Sequence, residues 1–176
     1  KFEYVLLQKQ AIAKVREEEI SIAEKKGFPC QWFRSKEHQV IFVRNIRILN
    51  ELDYEEPSEL GIEERREVNK VRHLTLLFFK GEANSINELY SHIKLREHDI
   101  IERYARDEIH GLITHLREVN TLELKKLFQR LMEIEGFSKL KCLLITIHSP
   151  KDLEEDILGL IKKTLEEMAE GEVRTL

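Results

Sequence analysis

Apolar residues Phe2, Val5, Leu6, Ile12, Val15, Ile20 and Ile22 recur at mixed three- and four-residue steps, with "REEE" as a polar face. This spacing predicts a helix over 2–26, ended by Gly27 and Pro29. Two readings fit the next segment, 30–46. Trp32–Phe33 and Val40–Val43 look like the strands of a hairpin turning at "RSKEH"; a continuous helix from Ser35 competes with it. The stretch "NELDYEEPSELG", 50–61, is acidic and aperiodic, holds Pro57 and Gly61, and reads as a linker.

Helical spacing resumes from Ile62 through Val68, Val71, Leu74, Leu77 and Phe78, and stops at "KGEANS". Ser85 precedes Glu88 by three residues, the spacing of a capping box, and predicts a short helix from Ile86 to about His92. After a turn at "IKL", a longer helix is predicted from Arg96 to Ile109, with Gly111 as its left-handed stop. Another helix is expected after Thr121, with Leu124, Leu127, Phe128, Leu131 and Ile134 on one face and Gly136 at its end. "KLKCLLITI", 139–147, is rich in branched apolar residues and predicts a buried strand. A last helix is expected to open at Ser149–Pro150 and close at Gly171, after which "EVRTL" can return as a strand. A lone buried strand leaves its backbone groups unpaired. "KCLLITI" therefore needs a partner in 172–176, in 31–43 or in a second chain.

Composition sharpens the class. The chain has 176 residues, 41% of them apolar and 35% charged, with seven glycines and three prolines. That balance predicts an α+β, helix-dominated protein with a real core and long solvated helix faces. Three parts are expected: 1–56, an N-terminal helix plus hairpin or second helix; 62–120, a helix-turn-helix unit; and 121–176, a C-terminal α/β part for dimerisation or sensing. The net charge of −4 gives no global pull toward phosphate. No apolar run is long enough to span a bilayer, and no signal peptide is seen. Cys30 and Cys142 form no Cys-x-x-Cys or Cys/His cluster, which argues against a zinc site and fits a cytoplasmic or nuclear protein with reduced thiols.

The segment 76–113 carries the most information. A helix ends at "KGEANS", a short helix holds Glu88–Leu89, and a turn at Ile93–Leu95 leads to Ile100, Ile101, Arg103 and Tyr104, closed by "HGLI". This order resembles the winged helix-turn-helix superfamily over about 62–118. The resemblance implies a winged-helix-like central domain whose longer helix docks in a groove of double-stranded DNA. Lys94, Arg96, Arg103 and Arg106 would then contact DNA, with His98 and Glu102 beside them. Two departures stand out: Arg96 occupies the usual cap position, and "NTLELKKLFQRL" reads as a helix where a wing should return.

Chemical alternatives are thinner. In a straight helix Arg103 and His110 would lie on nearly one face, as in a metal-independent HEPN-like ribonuclease. Arg66 and His73 repeat that spacing by chance. His98–Asp99 with His73 resembles a metal-dependent phosphohydrolase pattern, but the preceding "KLRE" is polar. His110 and His115 are five apart, off the spacing of a helical zinc pair, and His148 reads as a strand-end residue. Cys30, Trp32 and Phe33 read as packed core residues, and no glycine-rich phosphate loop occurs.

The expected function is a non-catalytic, DNA-binding transcription regulator acting as a homodimer, with no cofactor or metal. The alternative is an acidic winged-helix scaffold among the protein subunits of a larger complex, and the third is the Arg103/His110 ribonuclease.

Overall fold

The computed structural model describes residues 17–26, 29–52, 73–94, 99–115, 120–134, 136–153 and 156–176. Its centre is a five-stranded sheet formed by β1 (His73–Lys80), β2 (Ile100–Ala105), β3 (Glu108–His115), β4 (Lys141–Ile147) and β5 (Val173–Thr175). The strands lie in the order β2-β3-β1-β4-β5. All pairs are antiparallel except β4 with β5, which is parallel.

Helices α2 (Lys36–Leu52), α3 (Ala83–His92), α4 (Thr121–Met132) and α5 (Ile157–Glu167) cover the sheet, α1 (17–25) packs on α2, and 3-10 turns lie at Cys30–Trp32 and Pro150–Leu153. The segment β1-α3-β2-β3-α4-β4, with sheet order β4-β1-β3-β2, has the split β-α-β topology called ferredoxin-like. Helix α5 then carries the chain to the added edge strand β5.

Side chains alternate between the two faces of each strand. Leu77 and Phe79 of β1 face α3 and α4, where they pack with Ile86, Leu89, Phe128 and Met132. Leu74, Leu76 and Phe78 face the other side, against Phe42 and Ile46 of α2 and Ile157, Ile161 and Leu165 of α5. A smaller cluster of Ile20, Ala23, Cys30 and Val40 fastens α1 to the outer side of α2.

The α+β class holds. The helix expected over 96–109 does not: Ile100–Ala105 and Glu108–His115 are the strands of a hairpin that turns at Arg106–Asp107. Residues 73–78, expected to end a helix, instead begin the central strand. The capping box also fails, because α3 starts two residues before Ser85, with Glu82 as its N-cap and no side-chain cap bond. Gly111 is no helix stop. It lies within β3 opposite Leu77, and a Cβ there would come within 3.2 Å of the Leu77 Cβ and 3.0 Å of the Ile100 carbonyl oxygen. Residues 36–52 form the continuous helix rather than the hairpin.

Other expectations hold. The helix expected after Thr121 is α4, capped by Asn120, whose side-chain oxygen accepts from Leu122 N–H and Glu123 N–H. Gly136 and Gly171 take positive φ, and Val173–Thr175 pairs with β4. The last helix is divided: a 3-10 turn follows Ser149, and α5 starts afresh after the Asp156 cap. Of the linker expected over 50–61, residues 50–52 are instead the end of α2, and 53–61 lies outside the described residues, as does the segment 62–72. No described helix is long and apolar enough to cross a membrane.

Candidate functional site

Where α5 and the first 3-10 turn leave one end of the sheet, a cleft of about 460 Å³ opens, within the usual range for a small-molecule site of ~300–1,000 Å³. The strand register builds its floor. Lys80 pairs with Glu108 on one side and Lys141 on the other, forming a charged row across β3, β1 and β4. One step inward, two residues along each strand, Phe78 pairs with His110 and Leu143. The pleat turns both rows toward α5. Lys162 and Glu166 of α5 close the far wall, and half-exposed Leu158 lines it.

His110 is the centre of the floor. It is 5% exposed, and its Nδ1 lies 2.6 Å from the Trp32 carbonyl oxygen. A carbonyl accepts only, so Nδ1 carries the proton and donates. Nε2 then faces Glu108 Oε2 at 3.3 Å, while Oε1 of the same carboxylate lies 3.3 Å from Lys80 Nζ. The imidazole ring stacks on Tyr104 at 3.9 Å and 5°, with Trp32 and Phe78 each at 4.6 Å. Burial pulls the His110 pKa below the usual histidine value, against the Trp32 carbonyl and Glu108, which pull it up.

A second buried group holds this frame together. Glu102, opposite His110 on β2, accepts from Arg34 N–H and Ser35 N–H at 2.8 Å each and from His38 Nδ1 at 2.9 Å. Burial alone would raise its pKa. The two backbone donors and His38 outweigh that and hold it below the usual carboxylate range. One carboxylate on the edge hairpin thus fixes the start of α2 and, through it, the Trp32 carbonyl. Arg34 lies 4.7 Å above the Tyr104 ring, a cation–π contact. Trp32 Nε1 donates to the Gly111 carbonyl at 3.4 Å. On the other wall, Lys141 Nζ donates to the Leu165 carbonyl in the last turn of α5 at 2.8 Å, where a cation complements the helix dipole.

The expected DNA-contact residues do not come together. Lys94 is exposed just beyond α3, Arg103 is exposed on β2, and Arg106 is exposed in the hairpin turn. Arg96 and His98 lie outside the described residues. Glu102 is buried, not on an exposed flank. The Arg103/His110 ribonuclease pair also fails on geometry. Glu102 is the register partner of His110, so its neighbour Arg103 points through the opposite face, where it donates to Asn87 Oδ1 of α3 and to the Arg106 carbonyl. Cys30 is buried, and desolvation followed by Glu24 pushes its thiol up to about 11, which suits a packed thiol.

Sequence reasoning missed Lys80, Tyr104, Glu108, Lys141 and Lys162 as cleft residues, and read Trp32 as plain core. A signal existed. In a strand the i, i+2 pair Glu108–His110 shares a face; in the expected helix it does not.

Comparison of the chain with models of known families, with curated proteins and with solved structures finds no match. The geometry of the cleft therefore carries the functional reading.

Proposed function

We propose that this chain is a ligand-binding module whose cleft takes a compact organic anion with a planar ring. The observation that carries the reading is a buried imidazole anchored on the Trp32 carbonyl, its Nε2 facing Glu108, on the floor of an aromatic cleft rimmed by Lys80, Lys141 and Lys162. Apolar walls with a few converging polar groups are the usual make-up of such a site. Three lysines against Glu108 and Glu166 leave one net positive charge while His110 is neutral. A ring entering beside α5 gains apolar contact with Phe78, Leu158 and Ile161, and an acidic substituent then competes with Glu108 for Lys80.

Among the residues lining the cleft there is no thiol, and no hydroxyl besides Tyr104. The described lining thus offers no Ser, Thr or Cys nucleophile for acyl transfer. The DNA-regulator reading required a docking helix over 96–109, where a hairpin stands, and its contact residues are not carried forward.

Trp32 is the sole tryptophan and lines the cleft, so its fluorescence is a built-in reporter. Titration with aromatic carboxylates and nucleoside monophosphates is expected to give saturable quenching, weaker with neutral analogues. Lys80→Ala and Lys141→Ala should each lower affinity by about tenfold, as a lost charge-assisted contact does. No saturable change across the anionic set at millimolar concentration would remove the proposal.

A further inference from the structure

At the opposite end of the strands, and on the opposite face, three histidines fall into one row. His73 and His115 are direct register partners on β1 and β3. His148 lies one step beyond the Leu74–Ile147 pair, on the other flank of His73. Beneath them Thr75 Oγ1 lies 2.8 Å from His115 Nε2 and 3.4 Å from Thr146 Oγ1. The Nδ1 atoms of His73 and His148 are 2.9 Å apart, with their rings edge to face at 4.5 Å.

Two imidazole nitrogens that meet this closely share one proton, or both lone pairs point at one cation. We propose that His73 and His148 form a seat for a borderline transition-metal dication of the Zn²⁺, Ni²⁺ or Cu²⁺ class. Imidazole nitrogen suits these ions, whereas Mg²⁺ and Ca²⁺ prefer oxygen. Nitrogens bound to one Zn²⁺ at ~2.0–2.1 Å and a tetrahedral angle stand about 3.3–3.4 Å apart, so the rings need open by only a few tenths of an ångström. On binding, the N–H bond between the rings breaks as its proton moves through solvent to Nε2 of the same ring, and two nitrogen–metal bonds form. Both rings then carry their one proton on Nε2. Among the described residues no three such groups already form a coordinating cluster. Water therefore completes the shell, or His115 replaces its Thr75 contact with the ion by a side-chain rotation from the neighbouring strand. The site is accessible, since His148 is exposed and His73 and His115 are half-buried.

The test uses the full chain, freed of metal with a chelator. Calorimetric titration with Zn²⁺ is expected to show one equivalent bound at micromolar or lower concentration. His73→Gln and His148→Gln should each weaken binding by at least about tenfold and His115→Gln by less, while His92→Gln on α3 leaves it unchanged. Absence of saturable binding, or binding that survives both His73→Gln and His148→Gln, overturns the site. If either variant fails to fold, the unaltered chain decides. Paramagnetic Co²⁺ must broaden the amide signals of 73–75 and 146–148 and spare those of 108–111; broadening centred elsewhere overturns the proposal.

Discussion

The two faces of this sheet are made by the same strands from alternating residues, yet they do different things. Toward α3 and α4, Leu77, Phe79, Ile109, Cys142 and Leu144 form a closed apolar layer that gives way to the histidine row only at its far end. Toward α2 and α5, the strands begin equally apolar and then give way to His110, Glu108, Lys80 and Lys141. The cover differs too. Helices α3 and α4 are the two crossovers of the split β-α-β unit, whereas the other face is roofed by α2 and α5 from outside that unit. A roof assembled from separate pieces leaves a gap at one end of the sheet, and the polar groups placed there line a cleft. Each face gives up apolar area at one end only: the α2/α5 face at Lys80 and the α3/α4 face at His73.

The hardest way to break this division is to empty the closed face. Phe79 is fully buried, and Phe79→Ala is expected to cost about 3–5 kcal/mol in denaturant unfolding. Ligand-induced quenching of Trp32 should survive wherever the variant remains folded. Next is the buried brace of the open face. Glu102→Gln leaves backbone donors of Arg34 and Ser35 poorly matched and should cost about 2–3 kcal/mol. It should also shift the Trp32 emission, because the 3-10 turn loses its anchor; an unchanged spectrum and stability would deny Glu102 that role. Gly111→Ala sets a Cβ against Leu77 and the Ile100 carbonyl and is expected to destabilise by about 1–3 kcal/mol.

Acidification probes the open face selectively. The His110 pKa is depressed in the folded chain, so its contribution is complete above the ordinary histidine value of 6.5 and declines as pH falls below it. Glu102 is also depressed, so its contribution is complete above 4.5 and is lost as pH falls through the lower folded value. Stability measured by denaturant titration should thus begin to fall below pH 6.5 and fall further below 4.5. His110→Asn should flatten only the upper part of that decline; an unaltered profile would contradict a buried neutral imidazole. Arg103→Glu should be the mildest change, within about 0.5 kcal/mol by the same measurement, since Arg103 is exposed and makes only surface contacts.

The helices α3, α4 and α5 were legible because each has a one-sided apolar pattern, and Gly136 and Gly171 mark the chain reversals after α4 and α5. The strand "KCLLITI" was legible because branched residues dominate it. The strand "HLTLLFFK" was not, because it is buried on both faces and so loses its alternation; an unbroken apolar run fits a helix equally well. The hairpin "IIERYARDEIHGLI" was hidden for a different reason. Its turn is Arg106–Asp107, without the usual glycine or asparagine, and its buried face carries Glu102 and His110, which read as the polar side of a helix.

By itself, then, the chain determined its α+β class, most of its helices and the need of β4 for partners, because those depend on neighbours within a few residues. Which strand lay beside which was decided only in three dimensions. Burial of Glu102 and His110 is tolerated only once the backbone of 32–35, far away in sequence, arrives to hydrogen-bond them. The cleft and the histidine row are therefore products of register, a long-range property that local spacing does not encode.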